Sequence, residues 1–228
     1  MYETLEGFDY NMVVYDLGLS IEQRMALKEL KNSNYLSDLR VFNFSKYPSF
    51  WDINEGRGEY AWKPGMIKEV SKDYPGTLIW LDSGTKVERF LFKKLKIFTE
   101  TFDGFVSPKS PGFMNEWTHP GVYDYYKDDH SKYDKLMNCN AAFVIFDTYR
   151  VQYLIDEWYD CALVKDCIAP VGSSRVNHRQ DQTILTYLAA KGNRYCDKSR
   201  RLFGVTIHMD SYCKETISGY ESNHPELQ

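Results

Sequence analysis

Several things are missing from this 228-residue chain, and each absence removes a class of function. No run of 18 apolar residues occurs, so the sequence offers no membrane-spanning helix. The first residues, MYETLEGFDYN, have neither the basic flank nor the apolar stretch of a secretory leader. On those grounds the chain reads as soluble and cytoplasmic, or as a catalytic domain cut from a longer protein. With 28 Lys and Arg against 32 Asp and Glu, the net charge is -4, and no basic block interrupts the pattern. Nothing here is an electrostatic footprint for nucleic acid. The five cysteines (Cys139, Cys161, Cys167, Cys196, Cys213) contain no CxxC pair, and their odd number argues against a complete disulfide framework. A reducing compartment fits best, with a local Cys161–Cys167 pair open if the protein is secretory. There is no G-x-S-x-G elbow, no G-x-G-x-x-G and no Walker loop, which disfavours serine hydrolysis, a dinucleotide-binding Rossmann domain and a P-loop NTPase. Histidine spacing gives no zinc site.

What is present is a core of useful size: 43% hydrophobic residues, 16% aromatic, 18 of them Tyr. One compositional regime runs throughout, without repeats or low-complexity tracts. The expectation is a single α/β domain over 1–228, its core about 10–212, ending in a polar tail from Glu221. Thr77 to Arg89 organises the rest. Leu78-Ile79-Trp80-Leu81 is an uninterrupted apolar run between Pro-Gly and Ser-Gly, and it predicts a central parallel strand buried on both faces. Ligands of open parallel sheets sit beyond the carboxyl ends of the strands, so Asp82 stands where a site belongs. Read by itself, the same Asp could equally cap the next segment.

The other segments fall in order around that strand. Met12 to Tyr15 reads as a strand, with Asp16 leaving it into Leu17-Gly18-Leu19. Ser20-Ile21-Glu22-Gln23 matches a capping box opening a helix to about Lys31. Leu39 to Phe44 is a second strand. Tyr60-Ala61-Trp62-Lys63-Pro64 opens another helix and puts Lys63 on its first turn, against the helix dipole, although a solvated lysine is the plainer reading. Val87 to Ile97 is an amphipathic helix and Gly104 to Val106 a short strand. Ser107 to Pro120 is a Pro- and Gly-rich loop. Asn138-Cys139-Asn140 leads into the buried strand Ala141 to Phe146. Its small first residues suit close approach of a ligand to backbone, or tight helix packing. Thr148 to Leu163 is a long helix, and Asp181-Gln182 starts the next, where a helix cap is the structural reading of Asp181. Gly204 to Asp210 is a last strand carrying His208 and Asp210.

Asp16, Lys63, Asp82, Asn140, Asp181, Gln182 and His208 thus gather at one sheet edge. Carboxylates, amides, a lysine and a late histidine suit a nucleoside diphosphate held by cations. In this order, VVYDLGLS, FNFSKYP, YAWKP, IWLDSG, HPG, DCALVKDCIAP and HRQDQTIL resemble a GT-A type nucleotide-sugar glycosyltransferase. More narrowly, they resemble the eukaryotic and viral glycosyltransferase-like family of domain of unknown function 1647, over residues 12 to 210.

That resemblance implies a mostly parallel, Rossmann-like central sheet flanked by helices. It also implies a nucleotide-sugar donor (a UDP- or GDP-sugar) and a glycan or glycoprotein acceptor. Asp16, Gly18, Lys63, Asp82, Ser83, Asn140 and Asp181 would face the donor. Asp181 and Gln182 would be catalytic. Asp82 and His208, with Asp210 as an alternative to the histidine, would hold Mn2+ or Mg2+, although Asp82-Ser83-Gly84 lacks the second Asp of the family's DxD motif. The resemblance leaves retention or inversion open, and it equally allows a catalytically silent domain that binds nucleotide-sugar or glycan.

Overall fold

The computed structural model describes residues 2–196 and 204–207. A short helix, α1 (Tyr2–Leu5), is followed by β1 (Val13–Asp16), α2 (Ile21–Asn32) and β2 (Asp38–Val41). The Ser20 hydroxyl accepts from Gln23 N–H and the Gln23 side chain accepts from Ser20 N–H, so the capping box forms as the sequence requires. After three 3₁₀ turns come α3 (Trp62–Asp73), β3 (Thr77–Leu81), β4 (Lys86–Val87), α4 (Arg89–Thr101) and β5 (Phe105–Val106). Next are β6 (Lys109–Phe113), α5 (Met114–Trp117), α6 (Pro120–Tyr126), β7 (Met137–Cys139) and β8 (Phe143–Asp147). The chain continues through α7 (Thr148–Ala162), α8 (Lys165–Ile168), α9 (Gln180–Lys191) and β9 (Val205–Thr206).

The expected mostly parallel central sheet is not what these strands build. Among the described residues only β1 and β2 pair in parallel, while β3-β8-β5, β4-β9 and β6-β7 are antiparallel. The physical reason lies in which strand is enclosed. Phe143 to Phe146 of β8 are all fully buried, with β3 on one side and β5 on the other. In β3 only Leu78 is buried. An unbroken apolar run reports burial but not strand direction, and here the free side of β3 opens on a cleft. That cleft, about 930 Å³, is lined by both β3 and β1, which belong to two sheets that do not join.

A second departure concerns Ser107 to Pro120. The loop expected there contains strand β6, which pairs with β7 through an irregular register between Lys109 and Phe113. Pro111 lies within that irregularity, where its missing N–H costs no ladder bond.

The helices fix the geometry of the site. Val151, Leu154, Ile155 and Trp158 form the buried stripe of α7, which packs on both α3 and α9. Side chains of this kind stabilise by roughly 1.5–3 kcal/mol each when fully buried. Two indole N–H groups lock the layers: Trp51 Nε1 donates to Ala162 O at 2.8 Å, and Trp158 Nε1 donates to Asp181 O at 3.0 Å. Trp51 also stacks on Tyr47 at 4.3 Å and lies so close to Gly65 of α3 that a Cβ there would stand 2.6 Å from the ring. Thus α7 draws the first turns of α3 and α9 together.

Two disulfides close the fold, Cys139–Cys196 across 57 residues and Cys161–Cys167 across six. Four of the five cysteines are therefore paired, which corrects the reading of them as a reduced set. Cys213 lies outside the described residues. Among the described residues no helix is long and apolar enough to cross a membrane.

Candidate active site

Lys63 sits in the first turn of α3 and is 4% exposed. Its Nζ lies 3.0 Å from Asp181 Oδ2 and 3.2 Å from Asp82 Oδ1, and donates to Ala141 O at 3.1 Å. The indole of Trp80 lies below it, 5.7 Å from Nζ to the ring centroid. Burial works against the ammonium charge, but Asp181 and Asp82 outweigh it and hold the lysine above its ordinary range. A lysine in a first helical turn, unfavourable for the helix, is thus explained by two carboxylates that come from other elements.

Asp82 leaves β3 with its N–H donating to Ala142 O at 2.9 Å. Its Oδ1 also accepts from Trp80 Nε1 at 2.7 Å, since residues two apart on a strand share a face. The side chain is 39% exposed and, with Ser83, lines the cleft between β1 and β3 beside Tyr15, Leu17, Trp62 and Trp80. A volume of that order is within the range of small-molecule sites.

Asp181 is the more enclosed of the two carboxylates, at 5% exposure. It does not play the capping part, because α9 begins one residue earlier and its N-cap is Arg179. Oδ2 is covered, faces Lys63, and makes no well-aligned hydrogen bond. Burial pushes its carboxyl above the ordinary range, Lys63 offsets part of that rise, and Asp82 adds to it. A cation shared by two carboxylates, one of them reluctant to ionise, is an arrangement that can take up and release a proton.

The small residues before β8 serve the same cluster. Asn140 Oδ1 accepts from Ala142 N at 2.9 Å and thereby shapes the backbone whose carbonyls, at Ala141 and Ala142, receive Lys63, Asp82 N–H and Thr85 Oγ1. Close approach to backbone does occur here, and the approaching group is the Lys63 ammonium. Asn140 itself is buried, and Gln182 is half-buried beside Asp181.

Asp16 is placed differently. It is 1% exposed, Oδ1 accepts from Gly18 N at 2.9 Å and Leu19 N at 2.7 Å, and Oδ2 pairs with Arg24 Nε at 2.5 Å. Both oxygens are committed to shaping the loop. Burial raises its carboxyl, but the two N–H groups and Arg24 bring the net effect below the ordinary range. His208 and Asp210 lie outside the described residues.

Trp80 and the carbonyl of Ala141 escaped the sequence reading. The period of the strand could have supplied Trp80, two residues before Asp82. No signal marks a main-chain acceptor. For a divalent ion, no group of three His, Cys, Asp or Glu side chains gathers among the described residues. Asp82 Oδ1 already receives an indole N–H and an ammonium, so the described donor set alone does not fit Mn2+ or Mg2+.

No family model matches the chain, and no curated protein matches it. Among solved structures, the apo form of mouse xyloside xylosyltransferase 1 is similar at a TM-score of 0.44 and 11% identity, over 82% of this chain and 71% of that one. A likeness at that level decides neither fold nor chemistry.

Proposed function

We propose that this chain is a glycosyltransferase that moves a sugar from a nucleoside diphosphate, UDP or GDP, to a hydroxyl of a glycan or glycoprotein. The reading is carried by Lys63, an ammonium buried between Asp181 and Asp82, of which Asp82 also lines the cleft of about 930 Å³. The seven short motifs in order support it independently. In such a transfer the acceptor oxygen bonds to the anomeric carbon as the bond from that carbon to the diphosphate oxygen breaks. The diphosphate leaves with the electron pair. Lys63 is suited to stabilise that charge, electrostatic catalysis that is strong in a buried site. Asp82, Ser83 and Asn140 would position the donor, with Gly18 presented by the loop that Asp16 holds. Asp181, with its raised proton affinity, would receive the acceptor proton in an inverting reaction, or grip donor hydroxyls beside Gln182 in a retaining one.

Mn2+ or Mg2+ belongs to this proposal only if His208 joins Asp82, and when bound it would supply further charge at the diphosphate. Two disulfides favour folding in an oxidising, secretory compartment over the cytoplasm.

One observation favours the rival reading, a silent domain that only binds nucleotide-sugar or glycan. Lys63 engages both carboxylates, so neither stands free as a base. Thermal melts with UDP and GDP, each with and without Mn2+, followed by donor hydrolysis and transfer assays, test both. A nucleoside diphosphate should raise the melting temperature, because it binds only the native state. No shift at millimolar concentration overturns the nucleotide site. A shift without hydrolysis or transfer selects the silent domain.

A further inference from the structure

Four arginines of this acidic chain each face a carboxylate. Arg24 pairs with Asp16, Arg40 with Asp38 and Asp73, Arg150 with Asp103 and Asp147, and Arg194 with Asp103. Three arginines make no such pair among the described residues: Arg57, Arg175 and Arg179. Arg57 Nη1 and Arg175 Nη1 both donate to one phenol oxygen, that of Tyr60, at 2.7 and 2.6 Å. The Arg175 guanidinium also lies over the Tyr60 ring, 5.5 Å from its centroid. Arg179 is stacked 3.8 Å from the centroid of Trp117, and its covered Nε has no acceptor. Glu59, between Arg57 and Tyr60, accepts from the Gln180 amide at 3.2 Å through Oε2.

Two like charges on a single phenol repel unless an anion joins them. The backbone that holds them there is itself unusual, with Arg57, Glu59 and Tyr60 all at positive φ (60°, 48° and 55°). Gly58 makes this possible, since a Cβ there would stand 2.2 Å from the Trp51 carbonyl oxygen. The location matters as much. Tyr60 lies three residues before Lys63, and Arg179 two before Asp181, so the same two segments carry both the site and these arginines. The Gln180–Glu59 bond ties the segments together.

We propose that Arg57, Arg175 and Arg179 form an oxyanion-binding rim beside the Lys63–Asp181 site, built to receive a phosphate, sulfate or carboxylate group of the molecule that enters it. Guanidinium forks match those groups geometrically, and Tyr60 and Trp117 keep two of the three forks flat and oriented. Burial and the Arg175 charge draw the Arg179 pKa down, consistent with a cation that lacks its counter-charge. Oxyanions of two origins fit: the diphosphate of a donor, or an acidic group on a sugar acceptor. Only that choice of origin rests on the glycosyltransferase reading.

Titration calorimetry at low ionic strength tests the rim with three probes: inorganic pyrophosphate, UDP and a glucuronic-acid disaccharide. The parent is compared with an Arg57→Ala/Arg175→Ala double variant and with Arg179→Ala. Parent affinity for pyrophosphate should weaken about tenfold or more in the double variant, as expected for loss of charge-assisted hydrogen bonds. Arg57 and Arg175 are exposed, so the double variant should melt like the parent and decides the matter even if Arg179→Ala does not fold. UDP weakened in step with pyrophosphate assigns the rim to the donor. Parental UDP binding with a weakened disaccharide assigns it to the acceptor. Pyrophosphate binding that is absent from the parent, or equal in parent and double variant, overturns the rim. A rim that binds pyrophosphate in a protein inert toward nucleotide-sugars would survive the loss of the transferase reading, and the reverse result would remove the rim alone.

Discussion

Asp16 and Asp181 are both covered carboxylates facing one cation each, yet they are driven in opposite directions. Asp16 has every oxygen matched: two main-chain N–H groups on one, Arg24 on the other. Its cover is local, made by the loop and the arginine, and its proton affinity falls. Asp181 is enclosed by the core of three helices, shares its cation with Asp82, has an oxygen without an aligned donor, and its proton affinity rises. A fully satisfied carboxylate stabilises the structure that satisfies it. An enclosed, incompletely satisfied one is a destabilising feature, of the kind that sites tolerate for chemistry.

The largest expected effect is at Asp181. Asp181→Asn keeps the shape but cannot take a proton, and a positioned general base is commonly worth about 10² to 10⁴ in rate. Transfer activity should fall by that order, with a loss of stability smaller than that of any variant that removes Lys63, because Lys63 keeps Asp82 as a counter-charge. Parental turnover would reduce Asp181 to the role of Asp16. Next is Lys63→Met, which leaves Asp181 buried without its cation. Breaking a buried pair from one side costs about 3–5 kcal/mol, measurable in urea unfolding. Restoration of much of that loss by adding Asp181→Asn would show that the uncompensated carboxylate was its cause.

Asp16→Asn should do the reverse of Asp181→Asn, with stability falling by about 1.5–3 kcal/mol through weakened charge-assisted hydrogen bonds and turnover staying near parental. Acidification separates the two carboxylates further. The folded-state pKa of Asp16 is depressed, so its contribution is present above the unfolded value, near 4, and is lost as pH falls through the lower folded value. For Asp181 the folded value is raised, so its contribution is full below the unfolded value and is lost as pH rises through the folded one. Unfolding free energies from about pH 2 to 7 should therefore show parent and Asp16→Asn converging at low pH. Parent and Asp181→Asn should diverge there, with the parent gaining.

The sequence made some of this contrast legible and hid the rest for physical reasons. Local chemistry was readable: the Ser20–Gln23 capping box and the helix after Pro64 both follow from neighbouring residues. Lys63, Asp82 and Asp181 stood out because each ends or begins an element, and the structure brings all three together. Strand direction was not readable, because an apolar run such as Leu78 to Leu81 looks the same in parallel and antiparallel partners. Nor could the distinction between Asp16 and Asp181 be read, since both follow or begin an element at a sheet edge. What separates them is Arg24 one helical turn into α2 and Trp158 under α9, contacts set by tertiary packing. The Cys139–Cys196 pair, 57 residues apart, was equally beyond spacing rules.

The smallest effect probes what makes Asp16 a structural residue. Two partners hold it, and they differ in kind: main-chain N–H groups of Gly18 and Leu19, and the side chain of Arg24, which is 38% exposed. Partly exposed ion pairs contribute about 0–1 kcal/mol because water screens them and a long side chain must be immobilised. If the N–H groups do most of the holding, Arg24→Ala should lower stability by less than about 1 kcal/mol, well under the loss from Asp16→Asn, and the difference should shrink in high salt. A loss as large as that from Asp16→Asn would mean that the arginine is the essential partner. Asp16 would then depend on a single cation, as Asp181 does on Lys63, and the contrast between them would rest on depth of burial alone.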